Sequence, residues 1–167
     1  TAGDVFATDP SNASRTLLYD IRHGAWSREL SDLFGVPLAA LPEVRRTSGR
    51  FGTTPDGIPV SAMAGDQQAA LFGQACVETG MAKNTYGTGS FVLLNTGEKP
   101  ADSKTLLSTV AYRIGEGPAH YALEGSIFVT RAAVQWLRDG LQIVGSAAET
   151  AAVAASVDST DGVVFVP

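Results

Sequence analysis

Along the first 57 residues, apolar positions come in short groups separated by turn and cap residues. Thr8-Asp9-Pro10-Ser11-Asn12-Ala13-Ser14 is dense in such residues, and an ordered element begins at Ser14–Tyr19. Ser27 has the character of a helix N-cap. Leu30, Leu33 and Phe34 then share one face, Gly35 suits the C′ position, and Pro37 follows. Leu38–Leu41 is a short turn closed by Pro42. Ser48–Gly57 is polar and Gly-rich, and Pro55-Asp56-Gly57 predicts a tight turn.

The pattern changes at Ile58. Ile58–Ala64 is a short apolar strand ending in Gly65-Asp66, and Gln67–Cys76 is small and apolar with helical spacing at Ala70, Leu71 and Gln74. Together they predict a strand, a sharp turn and a helix with Asp66 near its N-terminus. Val77–Gly80 is a connector. Met81–Tyr86, Ser90–Asn95, Leu106–Ile114 and His120–Leu123 follow as strands joined by Gly-rich turns, the pattern of an antiparallel meander. Phe128–Leu141 predicts an amphipathic helix with Val134, Leu137 and Leu141 on one stripe. Ala147–Ala155 predicts a second helix, and Val163–Pro167 a final strand. Phe72, Phe91 and Trp136 are expected in the core, and Cys76 as a buried thiol. The sheet-forming segments at the two ends lack partners within the chain, which predicts a segment of a longer α/β protein with a boundary near residues 77–80.

Composition narrows the classes. The chain has 167 residues, enough for one domain or parts of two, and a formal charge of −5. Its basic residues are scattered, with Arg45-Arg46 the only adjacent pair, so no nucleic-acid or anionic-membrane partner is expected. No apolar run approaches the roughly 20 residues a membrane helix needs. The first residues form no signal or transit peptide. A single cysteine excludes an internal disulfide, and Cys76 with the well-separated His23 and His120 makes no metal cluster. A reducing cytoplasm is the expected location.

Three features could carry chemistry. Asp66 in Ala64-Gly65-Asp66-Gln67-Gln68-Ala69-Ala70 sits where α/β proteins place ligands, at a strand end, and it could equally serve only as a helix cap. Tyr86-Gly87-Thr88-Gly89-Ser90 places glycines around a hydroxyl residue. Such a loop lets backbone N–H groups approach phosphate oxygens, or is simply a Gly hairpin. Arg131 and Gln135 lie one helical turn apart and share a face, which in isolation is a solvated surface.

In order along the chain, these pieces form a longer pattern. Ser11–Thr16, Leu41–Arg46, Gly65–Gln74, Gly80–Gly89, Asn95-Thr96-Gly97 and Tyr121–Gly125 follow one another in a way that resembles the glycerol kinases of the FGGY carbohydrate kinase family. The resemblance covers essentially the whole chain. It implies an α/β piece of the two-domain actin/hexokinase-like (ribonuclease H-like) fold. Residues 1–76 would end the polyol-binding domain, 77–80 would be the hinge, and 81–167 would begin the nucleotide-binding domain. It further implies ATP and glycerol as ligands and Mg²⁺ held mainly through phosphates and water. Asp66 would be the catalytic base, Gln67 a glycerol contact and Phe91 an aromatic wall under the glycerol carbons. Gly87, Thr88 and Gly89 would meet the ATP phosphates, and Gln135 the nucleotide. Arg131 stands where the family usually has a nucleotide-contacting Gly.

The same resemblance places the amino-terminal phosphate loop, the Arg-Glu pair and Tyr on the glycerol hydroxyls, and the adenine contacts outside this segment. The turn at Thr54–Gly57 lacks the Arg-containing loop by which some bacterial members bind an inhibitory sugar bisphosphate. A homo-oligomer is expected at full length. A kinase for another polyol or sugar, or a non-catalytic sugar-kinase-like binding protein, shares part of this pattern. Gln67 with Phe91 favours glycerol, and retention of Asp66 and Thr88 favours catalysis.

Overall fold

A computed structural model of the chain describes residues 1–166. The chain divides into two compact units, Thr1–Lys83 with Val92–Gly125, and Asn84–Phe91 with Ser126–Pro167.

The first unit opens with β1 (Ala7–Thr8), α1 (Pro10–Ala13), β2 (Tyr19–Asp20), β3 (Ala25–Trp26) and α2 (Arg28–Phe34). A 3₁₀ turn at Leu38–Ala40 leads to β4 (Glu43–Val44), β5 (Ser48–Thr53), β6 (Pro59–Ala62) and α3 (Asp66–Gly73). β1 pairs in parallel with β4, Ala7 opposite Glu43. β2 and β3, and β5 and β6, form antiparallel pairs.

Local signals act as expected at α2. Ser27 Oγ accepts the Leu30 N–H at 3.2 Å, and Gly35 closes the helix with φ +67°. Its apolar stripe is not covered among the described residues: Leu33 is 73% and Phe34 54% exposed, and the residue α2 buries is Ser31. The expected turn at Pro55–Gly57 closes the β5–β6 hairpin. Thr54 N–H donates to Ile58 O at 2.8 Å, Gly57 N–H donates to Thr54 O at 2.9 Å, and Gly57 has φ +84°. The polar stretch before that turn is itself a strand, β5. Its glycines and the irregular register between Ser48 and Gly52 hide the period-two alternation that identifies strands.

The strands β7 (Ala82–Tyr86), β8 (Ser90–Gly97), β9 (Leu107–Arg113) and β10 (Ala119–Ile127) form one sheet in the order β7-β8-β10-β9. This corrects the expected meander. β10 lies between β8 and β9, because the connection 98–106 is long enough to carry β9 past the neighbouring position. The tight Ile114–Gly117 turn then returns β10 inward, antiparallel to β9 with Ala119 opposite Arg113.

Two helices belong to the second unit, α4 (Arg131–Asp139) and α5 (Glu149–Ala155), and both are shorter than their sequence patterns. The expected strand at Val163–Pro167 is absent over residues 163–166, and Pro167 lies outside the described residues. A β-strand needs a ladder partner, and none is available there among the described residues. Phe165 instead stacks on Trp136, ring centroids 5.6 Å apart.

The first unit's core contains Leu71, Leu93, Val110 and Ala122, all essentially fully buried. Beside them Ala13, Tyr19, Val110 and Tyr121 pack with Ile21, Trp26, Val44 and Ala119. Tyr19 meets Trp26 edge to face at 5.4 Å, and Tyr121 Oη donates to Ile21 O at 2.9 Å. Cys76 is buried, as expected. Phe72 and Trp136 are not core residues. Each is nearly half exposed, with Phe72 resting edge-on against Tyr112. Among the described residues, no helix is long and apolar enough to cross a membrane.

Candidate active site

The candidate residues divide between the units: Asp66 and Gln67 lie in the first, and Phe91, Gly87, Thr88, Gly89, Arg131 and Gln135 in the second.

The N-terminus of α3 is positioned by a polar network rooted in Asp9. This carboxylate is fully buried and caps α1. It accepts the backbone N–H of Ser11 and of Asn12, at 3.1 and 3.0 Å. The Asn12 amide, the Ser11 hydroxyl and the Thr47 hydroxyl also donate to it, each at 2.8 Å. Ser11 Oγ in turn accepts the Gly65 N–H at 2.9 Å, which fixes the residue before the helix. On the inner face of α3, one turn apart, Gln68 and Leu71 are buried. Gln68 Nε2 donates to Thr109 Oγ1 at 3.2 Å, and Thr109 shares a hydrogen bond with Ser14 at 2.8 Å. α3 is therefore tied to both α1 and β9.

With its inner face held, α3 presents Asp66 outward. The helix-cap reading of Asp66 does not describe what it does. Gly65 is the N-cap, and Asp66 is the first helical residue. Asp66 Oδ1 accepts the Gln67 N–H at 2.8 Å, not an N–H two or three residues on as a capping side chain does. The result is a rigidly based, exposed carboxylate at the positive end of a helix. Next to it, Gln67 Oε1 accepts a hydrogen bond from Lys83 Nζ. Lys83 is buried in β7, and burial pushes its ammonium below the usual lysine range while Glu124 and then Asp66 pull it up. Glu124 is buried as well and pairs with Arg15 at 2.8 Å.

In the second unit, the loop 87–89 is seated on the start of α4. Thr88 O accepts the Thr130 N–H at 2.8 Å, and Gly87 O accepts the Arg131 N–H at 3.3 Å. The Ser90 and Thr130 hydroxyls bond at 2.8 Å. A Cβ on Gly89 would lie 2.5 Å from Ile127 O and 3.0 Å from Phe128 O, so glycine there is a packing requirement. Thr88 is exposed at the tip of the loop. Phe91, the second residue of β8, is half-buried. Arg131 and Gln135 line one depression of about 260 Å³ with Val134, Arg138, Ala147 and Thr150. Arg138 is forked onto its neighbour Asp139, at 2.6 and 2.7 Å.

Asp9, Lys83, Glu124 and Arg15 escaped the sequence reading as site supports. Asp9-Pro10 announces a helix start, but nothing local shows that the same carboxylate serves Thr47 and, through Ser11, Gly65. Lys83 carries no sequence signal, because its partners are brought to it only by the fold.

Comparison with known proteins bears on the same residues. The FGGY carbohydrate kinase N-terminal domain matches residues 2–73, and the C-terminal domain of that family matches residues 82–167. A glycerol kinase from Xanthobacter autotrophicus is 57% identical over 173 residues, covering all of this chain and 35% of that protein. One from Methylobacterium nodulans is 58% identical, covering all of this chain and 34% of that protein. The crystal structure of Plasmodium falciparum glycerol kinase with ADP superposes with a TM-score of 0.88 at 38% identity, over 96% of this chain and 34% of that one. The chain thus spans about a third of the length of the curated relatives it matches. Both halves match, the α/β architecture superposes, and the strand–turn–helix bearing Asp66 lies within the aligned region, so this chain belongs to the FGGY family of carbohydrate kinases.

Proposed function

We propose that the protein containing this chain transfers the γ-phosphoryl group of ATP to glycerol, with Asp66 as the base. The observation that carries this reading is the exposed Asp66 carboxylate at the first position of α3, with Gln67 beside it, in a chain 57% identical to a glycerol kinase. A terminal hydroxyl oxygen of glycerol attacks the γ-phosphorus, the bond to the bridging oxygen of ADP breaks, and Asp66 takes the hydroxyl proton. Such transfers depend on positioning and charge stabilisation, with a carboxylate receiving the substrate proton. The product is sn-glycerol 3-phosphate.

Gln67 contacts glycerol and Phe91 lines its carbon chain. Gly87, Thr88 and Gly89 meet the ATP phosphates, and Arg131 and Gln135 lie on the nucleotide side. Among the described residues no group of His, Cys, Asp or Glu could cage an ion. Mg²⁺ would be held by phosphate oxygens and water, where it would neutralise phosphate charge and leave the Asp66 carboxylate to act as the base. Residues 1–76 end the polyol-binding domain, 77–80 form the hinge, and 81–167 begin the nucleotide-binding domain. A homo-oligomer in a reducing cytoplasm completes the proposal, and the free thiol of Cys76 fits that compartment.

The test is ADP release by the full-length protein with glycerol and with a panel of pentuloses and aldonic acids. Glycerol should lead in kcat/KM by about tenfold or more, ~1.4 kcal/mol of transition-state preference. A higher kcat/KM for another acceptor, or no acceptor-dependent ADP release, would overturn the reading.

Arg131 begins α4 and is exposed, with its backbone N–H engaged by Gly87 O. A guanidinium on a long stem prefers water or an anion to a closed slot. The substitution Arg131→Gly in the full-length protein should therefore change the KM for ATP by no more than about fivefold, ~1 kcal/mol. A large fall in KM would show that Arg131 obstructs the nucleotide, and a large rise would make it a nucleotide ligand.

A further inference from the structure

Lys83 is 3% exposed, and a lysine is almost never so deeply buried without partners. Its ammonium has three donors and no acceptor. Any side chain turned toward it must therefore offer an oxygen, and the oxygen offered by α3 is Gln67 Oε1. The arrangement is anchored from a second direction. Glu124 on β10, also 3% exposed, is close enough to act on Lys83 electrostatically and is held in turn by Arg15 at 2.8 Å. Lys83 on β7 is thus faced from two elements, by Gln67 on α3 and by Glu124 on β10, and Arg15, just after α1, holds Glu124 in turn.

The consequence falls on Gln67. A free carboxamide can present either its oxygen or its nitrogen to a ligand, because rotation about its last bond exchanges them at little cost. With Oε1 committed to a cation, the opposite rotamer would aim an NH₂ at an NH₃⁺. With the oxygen drawn toward Lys83, the two Nε2 donors are the groups left on the opposite side of the amide for a ligand.

We propose that Lys83 is a positioning residue of the polyol site: it holds the Gln67 carbonyl inward, so that Gln67 meets the substrate as a hydrogen-bond donor to a hydroxyl oxygen. This rests on the reading of Gln67 as a glycerol contact. It adds a polarity to that contact and assigns a role to a residue outside it. A substrate hydroxyl at this point accepts from Gln67 and keeps its own proton for another partner.

The test is a double-mutant cycle in the full-length protein, read as the KM for glycerol, the KM for ATP and kcat. Gln67→Ala should raise the glycerol KM by about fivefold to tenfold, the worth of one hydrogen bond. Lys83→Met should raise it by a similar factor, with the KM for ATP within about twofold. In the Gln67→Ala background, Lys83→Met should add less than about twofold, because the group it acts through is gone. Lys83→Arg, which keeps a cationic donor, should recover part of the loss.

An equal effect of Lys83→Met in both backgrounds, or none in either, would overturn the proposal while leaving Gln67 a substrate contact. An unchanged glycerol KM in Gln67→Ala alone would remove that contact and the proposal with it. Gln67→Glu gives a readout that does not depend on folding of a lysine variant. A carboxylate facing Lys83 keeps the inward partner and removes the outward donor, so the glycerol KM should rise while the melting temperature holds or increases. A lower melting temperature in Gln67→Glu would show that oxygen is not what faces the cation.

Discussion

Asp66→Asn in the full-length protein should lower kcat by about 10²–10⁴-fold, the usual contribution of a positioned general base. The KM for glycerol should move by no more than severalfold. The amide keeps the shape of the carboxylate and can still accept the Gln67 N–H that Oδ1 now receives at 2.8 Å. The start of α3 does not depend on the Asp66 side chain, since Gly65 is the N-cap and is held through its own N–H by Ser11. The substitution therefore removes basicity with little change of structure, and steady-state kinetics on a variant of unchanged melting temperature would isolate the chemistry. A kcat within a few-fold of the parent would mean that the proton leaves by another route.

The largest loss of stability is expected from Asp9→Ala, and it should come without any contact to substrate. Asp9 is buried, and its two oxygens take hydrogen bonds from Ser11, Asn12 and Thr47. Hydrogen bonds to a charged group contribute about 1.5–3 kcal/mol each, and the orphaned donors would be left without water. The bonds share one acceptor and are not additive, so ~3–5 kcal/mol is the expected total. That is a large part of the 5–15 kcal/mol that typically separates folded from unfolded protein. Denaturant unfolding of the full-length protein measures it directly. A stability within about 1 kcal/mol of the parent would show that α1, β5 and the start of α3 do not depend on this carboxylate. Any surviving protein should also lose activity, because the Ser11 hydroxyl that locates Gly65 is itself oriented by Asp9.

The features of this protein that its sequence determines alone are those encoded within a few residues. Ser27 and Gly35 bracket α2 because a cap needs only a side-chain oxygen three residues before a free N–H and a residue at ease with φ +67°. Pro55-Asp56-Gly57 closes a hairpin for the same kind of reason. The strand–turn–helix that displays Asp66 is legible because a short apolar run gives way to helical spacing across Gly65. The whole ordered set of motifs also carries the family, since such a set rarely arises by chance. The tertiary structure decided what depends on partners far away in the chain. β5, polar and Gly-rich, is a strand because β6 lies beside it, whereas Val163–Val166 is wholly apolar and has no ladder to join among the described residues. β10 lies inside β9 because a long connection permits it, a matter of chain geometry that no propensity records. Gly89 must be glycine because the backbone of Ile127 and Phe128 passes against it. Asp9 and Lys83 are the clearest cases. A buried charge is tolerable only where several donors or acceptors converge on it, and those of Thr47, Gln67 and Glu124 reach it only when the chain has folded.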